Sequence, residues 1–306
     1  MPNQESIYYC LPVFRPPSEA YSLLIQATEG CSFRCTFCMS NLRKKFVIRD
    51  TKDIKKDLDI GRKIHGLNVK KIFFLDGNAM VMPTEKLLEI TKYARKIFPF
   101  VRCGVYAHAK DILKKSDEEL RELNKAGLGI AYVGFESGSN KLLKMMNKHT
   151  TKEELISASK KLMKSGITLS ATLILGLGGD NKDLSELSAI NSADLVNKIC
   201  PDDDTLWYIA CLTLMVPPGT ELFERKVKNE FHEMETLDIL KELYQFIENI
   251  NFKNNPNANC VFRTNHASNY LAIGGILDQD KFKILKTIRM GLENPNILRP
   301  DSYRAL

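Results

Sequence analysis

Apolar and polar positions alternate along the chain with two different periods. Six short runs rich in β-branched and aromatic residues read as strands: Leu23–Thr28, Lys71–Asp76, Val101–His108, Gly129–Glu136, Ile167–Gly176 and Thr205–Val216. Between them, apolar residues recur three and four apart, the period of a helix packed on one side. The helix ends carry their own signals. Ser116 with Glu119 makes a capping box and Gly127 closes that helix; Thr151 with Glu154 opens the next and Gly166 ends it. Six strand–helix repeats predict parallel strands joined by right-handed crossovers. They fall short of the eight that close a full barrel. The expected fold is therefore α/β, a partial (β/α)6 barrel.

After the last strand the pattern changes. Pro217, Pro218 and Gly219 break the chain, and helices are predicted over Thr220–Asn229, Thr236–Asn251 and Asp278–Leu292. A polar stretch, Asn251–Asn259, leads into Cys260–Gly275. The expected organisation is a core over residues 1–219, with an N-terminal extension over 1–20, and a C-terminal helical cap over 220–306. Within the cap, Phe262–Tyr270 is unusually polar and aromatic for a core segment. Arg263, Asn265 and His266 suit an anionic or hydrogen-bonding ligand and are candidate substrate contacts. A solvated loop is the plain alternative.

Composition refines this picture only a little. A hydrophobic share of 44% over 306 residues supports a large core. No apolar run approaches the roughly 20 residues that span a bilayer. Met1–Arg15 lacks the basic start and apolar stretch of a signal peptide. A cytoplasmic protein with no membrane partner is the expectation. The net charge of +7 is spread over mixed Lys/Glu helix faces, which read first as solvated surface. It leaves room for an anionic partner, whether nucleic acid, a polycarboxylate substrate or an acidic electron donor such as a flavodoxin, without choosing among them.

The eight cysteines are more informative. In a reducing compartment they do not read as a disulfide framework. Cys10, Cys103, Cys200, Cys211 and Cys260 are scattered singly, whereas Cys31, Cys35 and Cys38 follow directly after the first strand. Three thiolates on one loop can hold three corners of an iron–sulfur cubane and leave its fourth iron without a protein ligand. Electron-transfer clusters use four cysteines. Structural zinc generally takes two separated cysteine pairs, and no second pair exists here. Three buried, unligated cysteines are the remaining reading, with polar Ser32, Arg34 and Thr36 between them as the argument against it.

Strand alternation adds candidates at the C-terminal strand ends, where β/α barrels build their sites. Tyr132, Gly134 and Glu136 share one face, opposite apolar Ala131, Val133 and Phe135. Thr168, Ser170 and Thr172 alternate with Ile167, Leu169, Ala171 and Leu173, so the polar set is expected to line the interior. Arg102, Gly104, Tyr106 and His108 share a face opposite Val101, Cys103, Val105 and Ala107. That places Cys103 in the core and points His108 inward as a candidate catalytic group, a structural histidine being the alternative.

The spacing Cys-x3-Cys-x2-Cys, with Phe37 before the third cysteine, resembles the signature of the radical S-adenosylmethionine (SAM) superfamily. The likeness extends over the six β/α units. Asp76-Gly77-Asn78-Ala79 resembles the family's Gly-Gly-Glu stretch. Gly134-Phe135-Glu136-Ser137-Gly138-Ser139 is similar to the G-x-E/Q-S-G segment of the methylthiotransferase and oxygen-independent coproporphyrinogen oxidase branch. Gly176-Leu177-Gly178-Gly179-Asp180 resembles the G-x-P-G-E turn, with Gly178 in place of Pro and Asp180 in place of Glu. The resemblance implies a [4Fe–4S] cluster on Cys31, Cys35 and Cys38, and SAM contacts from Phe37, Asp76, Gly77, Asn78, Glu136, Ser137 and Gly176; Ser170, from the polar face of its strand, joins them as a candidate SAM contact. It further implies reductive cleavage of SAM to a 5′-deoxyadenosyl radical, which abstracts hydrogen from a substrate the sequence does not name. Further Cys-x2-Cys pairs, a cobalamin-binding segment before the first strand and a C-terminal β-barrel are not seen. A non-catalytic iron–sulfur or RNA-binding protein that keeps the cysteine loop is the reading from another class.

Overall fold

The computed structural model describes residues 6–253 and 255–305. Its strands are β1 (Leu23–Gln26), β2 (Thr28–Glu29), β3 (Val47–Ile48), β4 (Lys71–Leu75), β5 (Arg102–Ala107), β6 (Leu128–Glu136), β7 (Thr168–Leu175), β8 (Trp207–Thr213), β9 (Cys260–Arg263) and β10 (Gly274–Ile276). Each of the six runs expected as strands coincides with one, β6 beginning one residue earlier, at Leu128. Among the described residues they form a sheet of eight strands in the order β1-β4-β5-β6-β7-β8-β9-β10, with β2 and β3 paired separately as an antiparallel ribbon. The ladders β1/β4, β4/β5, β5/β6, β7/β8 and β8/β9 are parallel, and helices fill the connections from β4 to β9.

Two points correct the expectation from the pattern. The first run ends as a strand of the large sheet at Gln26; Thr28 and Glu29 turn off to pair with Val47 and Ile48. The C-terminal segment is not helical throughout, because β9 adds to β8 in parallel and β10 returns antiparallel to β9. Four and three residues are too short to show a period, yet Cys260 and Phe262 are buried while Val261 and Arg263 are not. An unpaired edge on β8 would leave backbone groups without partners, and β9 satisfies them.

The chain divides into two compact units, Met1–Phe33 with Ser40–Val133 and Lys161–Leu169, and Arg34–Met39 with Gly134–Lys160 and Ser170–Leu306. In the first, local signals behave as the sequence predicts. Ser116 Oγ accepts from the Glu119 N–H at 3.0 Å and Glu119 Oε2 accepts from the Ser116 N–H at 2.6 Å, while Gly127 closes the helix Asp117–Ala126 in a left-handed conformation. Phe73, Leu75, Ile130 and Tyr132 form an aromatic-rich cluster with Tyr9, Val13, Leu24 and Tyr106 against it. Glu19, fully buried, accepts from Tyr132 Oη at 2.6 Å and pairs with Arg102 at 2.5 Å. Arg102 and Tyr132, expected to face inward, do so in a structural network anchored by the N-terminal segment.

The alternation of β7, which belongs to the second unit from Ser170 on, is visible directly. Leu169, Ala171, Leu173 and Leu175 are buried, while Thr168, Ser170, Thr172 and Ile174 are half-buried. The helix Lys182–Ile199 buries Ser185, Ser188, Ser192 and Ala193. A Cβ on Gly138 would lie 2.1 Å from the Asn191 carbonyl oxygen, so only glycine permits this approach. Leu142, Met146, Leu177, Leu184, Leu214, Leu222 and Phe231 make an apolar cluster there.

Candidate functional site

The cysteine loop begins where β1 and its short continuation end. Gly30 has φ +66° and its missing Cβ leaves room for the Lys44 and Lys45 carbonyl oxygens. Its N–H donates to Asp76 Oδ2 at 3.3 Å. Asp76, at the end of β4, is buried and also accepts from Lys44 Nζ at 2.6 Å and Gln26 Nε2 at 3.2 Å. Burial pushes its carboxyl up, and Lys44, Gly30 and Gln26 pull it back only in part. The Asp76 side chain, expected at SAM, is thus engaged in holding the turn into Cys31.

Gly77 lies flush against the same turn. A Cβ there would sit 2.9 Å from Cys31 Cβ and 2.6 Å from Asn41 Nδ2. Asn78 is buried and donates from Nδ2 to Asp111 Oδ2 at 2.6 Å, while its Oδ1 accepts from the His108 N–H at 3.2 Å. His108 caps the short helix Ala109–Lys114 through Nδ1 and stacks on Phe33 of the cysteine loop, with ring centroids 3.7 Å apart. His108 therefore packs against the cysteine loop.

The remainder of the loop is anchored in the second unit. Thr36 donates its N–H to the Met146 carbonyl oxygen at 3.1 Å, and its own carbonyl accepts from the Leu222 N–H at 2.9 Å. Phe37 packs on the Leu142–Phe231 cluster. Cys31, Cys35 and Cys38 are all half-buried and none is in a disulfide.

Glu136 ends β6 with φ +61°, a conformation uncommon for a residue with a side chain, and its buried carboxylate meets Lys148 Nζ at 2.8 Å. A Cβ on Gly134 would fall 2.1 Å from Glu136 Oε1, so this glycine makes space for the pair. Ser137 turns to the helix Lys182–Ile199, with its Oγ 3.1 Å from Ser188 Oγ and accepting from the Ser139 N–H. Ser170 is half-buried on the polar face of β7, beside Tyr208 in the ladder. Gly176 follows β7 with φ +83° and donates its N–H at 3.2 Å to Glu242 Oε2, a carboxylate that also accepts from Ser185 Oγ at 3.0 Å. Full burial pushes Glu242 up to about 7.

In the C-terminal segment, Arg263 and Asn265 are exposed. His266 Nδ1 accepts from the Ser268 N–H at 3.1 Å, and burial lowers its pKa. The loop behind them is held firmly. Asn269 is buried and bonded to Thr213, Cys211 and Thr264, while Arg299 and Arg304 donate to the carbonyl oxygens of Ala267 and Ser268.

Sequence reasoning passed over Lys44, Lys148 and Glu242. Only Glu242 carried a signal: it is three residues after Ile239 and four before Phe246, a carboxylate on the apolar face of its helix.

The family model of the radical SAM superfamily matches residues 25–187, more than half of the chain and all three clustered cysteines. The chain belongs to the radical SAM superfamily. That superfamily uses a [4Fe–4S] cluster and SAM. Among curated relatives, the ribosomal protein uS12 methylthiotransferase RimO of Clostridium botulinum is 27% identical over 190 residues, covering 58% of this chain and 42% of that protein. The anaerobic magnesium-protoporphyrin IX monomethyl ester cyclase of Rubrivivax gelatinosus is 30% identical over 160 residues, covering 52% and 28%. This radical SAM chain therefore spans less than half the length of these relatives. Coproporphyrinogen III oxidase HemN from Escherichia coli shares the fold at a TM-score of 0.55 and 18% identity, over 74% of this chain and 52% of that one. The methyltransferase TsrM from Kitasatospora setae does so at 0.53 and 16%, over 72% and 40%.

The residues present fit the superfamily's cluster in chemistry. Three soft thiols at the signature spacing are free of disulfides, and Gly77 leaves Cys31 uncrowded. Among the described residues, no three His, Cys, Asp or Glu side chains converge on one ion; in a cubane each thiolate meets its own iron. No helix among them is long and apolar enough to cross a membrane.

Proposed function

We propose that the chain is an enzyme that cleaves SAM reductively at a [4Fe–4S] cluster held by Cys31, Cys35 and Cys38 and abstracts hydrogen from a substrate yet to be identified. The observation that carries this reading is the three-cysteine loop lying inside the family match over residues 25–187. When bound, the cluster supplies the electron that breaks a sulfonium carbon–sulfur bond of SAM to give a 5′-deoxyadenosyl radical.

The chain's own residues bind and position. Glu136, a buried carboxylate beside Lys148, is assigned to SAM as a charged acceptor. Phe37, Gly77, Asn78, Ser170 and Gly176 are the further residues assigned to the cofactor, and Asp76 and Ser137 each hold a turn within their own unit. His108, Arg263, Asn265 and His266 are assigned to the substrate side. In this reading residues 1–219 carry the radical chemistry, 220–306 carry substrate contact, and an acidic protein of the flavodoxin type delivers the electron.

Anaerobic reconstitution tests the assignment. With SAM and dithionite, the protein is expected to hold roughly four irons per chain and release 5′-deoxyadenosine, and Cys35→Ala to do neither. Nucleoside formation surviving in Cys35→Ala overturns the cluster assignment. A wild-type protein that binds iron but never cleaves SAM is the non-catalytic alternative.

The substrate side has its own test, in a strain lacking the protein. Wild-type chain should restore the altered metabolite profile, and the triple variant Arg263→Ala, Asn265→Ala, His266→Ala should not, although it still releases 5′-deoxyadenosine slowly in vitro. Full restoration by the triple variant returns the segment to solvated loop.

A further inference from the structure

Asn41, three residues beyond the last cysteine of the loop, is 6% exposed. Its Oδ1 is buried and has no hydrogen-bond partner. Leaving such an acceptor unpaired is costly, and native interiors rarely carry one without a reason. The position of this one is specific. The Asn41 amide and Cys31 Cβ are the two groups that a Cβ on Gly77 would strike, at 2.6 and 2.9 Å. The amide that carries the unsatisfied acceptor, the Cβ of a candidate cluster cysteine and a bare backbone therefore share one corner, with the amide nitrogen the end nearer Gly77.

The neighbouring polar side chains at this strand end are already committed. Asp76 serves Lys44, Gln26 and Gly30. Asn78 has its amide nitrogen on Asp111 and its oxygen on the His108 N–H. Asn41 Oδ1 is the buried acceptor in reserve.

We propose that Asn41 Oδ1 is the acceptor for the methionyl α-amino group of SAM. The inference rests on the proposed function, in which SAM meets the cluster through its methionyl end. A carbonyl oxygen accepts and cannot donate, which excludes the SAM carboxylate and the sulfonium as its partner. The donors left on SAM are the amino group, the ribose hydroxyls and the adenine amine. Of these, the amino group belongs to the end that meets the cluster, and Asn41 stands beside Cys31.

The test is SAM binding to reconstituted, cluster-loaded protein, read from the change in the cluster's EPR signal as SAM is added and accompanied by iron analysis. Asn41→Leu keeps the side-chain size and removes the acceptor. It is expected to keep its iron and bind SAM ten- to a hundredfold more weakly, the usual loss for a hydrogen bond to a charged donor. Asn41→Asp keeps an oxygen acceptor and should retain affinity. Equal SAM affinity in Asn41→Leu and wild type overturns the proposal, and so does a loss in Asn41→Asp as large as in Asn41→Leu. Should Asn41→Leu fail to load iron, Asn41→Ala carries the same measurement. Iron loss in both makes Asn41 a support of the loop and overturns the proposal as well. If wild type itself binds no SAM, the proposed function has failed, a result distinct from all of these.

Discussion

Each compact unit buries a carboxylate, Asp76 just after a strand and Glu242 on a helix against the residue that follows one, and the two are kept in different company. Asp76 in the first unit has a cation, Lys44, at 2.6 Å together with two neutral donors. Glu242 in the second accepts from Ser185 and the Gly176 N–H, all neutral. Burial raises both carboxyls. Only at Asp76 does a full positive charge oppose the rise, whereas Glu242 reaches about 7 and titrates near neutrality. A buried charge with its counter-ion is a fixed part of the fold; one held by hydroxyl and amide alone is a proton-binding group.

The sharpest way to break this contrast is to make Asp76 resemble Glu242. Lys44→Met removes the cation and leaves a buried carboxylate with neutral donors. A loss of about 3–5 kcal/mol is expected for a buried pair broken on one side. It should be largest near pH 8 and shrink in acid as Asp76 takes up a proton. Urea denaturation at both pH values reads it, and Asp76→Asn in the same chain should recover most of the loss. A deficit under 1 kcal/mol would show that Lys44 does little for Asp76, and the contrast would fall.

A smaller effect is expected at Glu242. Its folded pKa lies above the ordinary value of 4.5, so between the two the native state binds more protons than the unfolded one. This group's contribution therefore falls as pH rises from about 4.5 to about 7 and levels off above. The full penalty is on the order of 3 kcal/mol. Glu242→Gln keeps an oxygen for the Gly176 N–H and loses the titration, so its stability between pH 5 and 8 should be flatter than that of wild type. Parallel curves for the two proteins would mean that Glu242 stays ionised throughout, as a paired carboxylate does.

Much of the framework was legible because its causes are local. The capping box at Ser116, the glycine that ends its helix and the alternation along β7 each depend on residues a few positions apart. The cysteine spacing is equally local, and the family match over residues 25–187 agrees with it. The addition of β9 and β10 escaped notice because three or four residues carry no measurable period, and what selects them is the open edge of β8. His108 was read as inward-facing from strand alternation. The Phe33 ring against it shows that the same position also serves to pack the cysteine loop.

The strand–helix order, the chemistry carried at each strand end and the three thiols with their spacing can all be read along the chain. Tertiary structure decided which of the polar groups are spoken for. Lys44 reaches Asp76 across 32 positions, and Gly176 reaches Glu242 across 66. Asn41 shows the same division, since nothing in Cys-Met-Ser-Asn marks its oxygen as unpaired. Periodicity and capping arise from backbone geometry within one or two turns, so they are written along the chain. Pairing and burial depend on which distant segments exclude water from a group, and that is settled only when the segments pack.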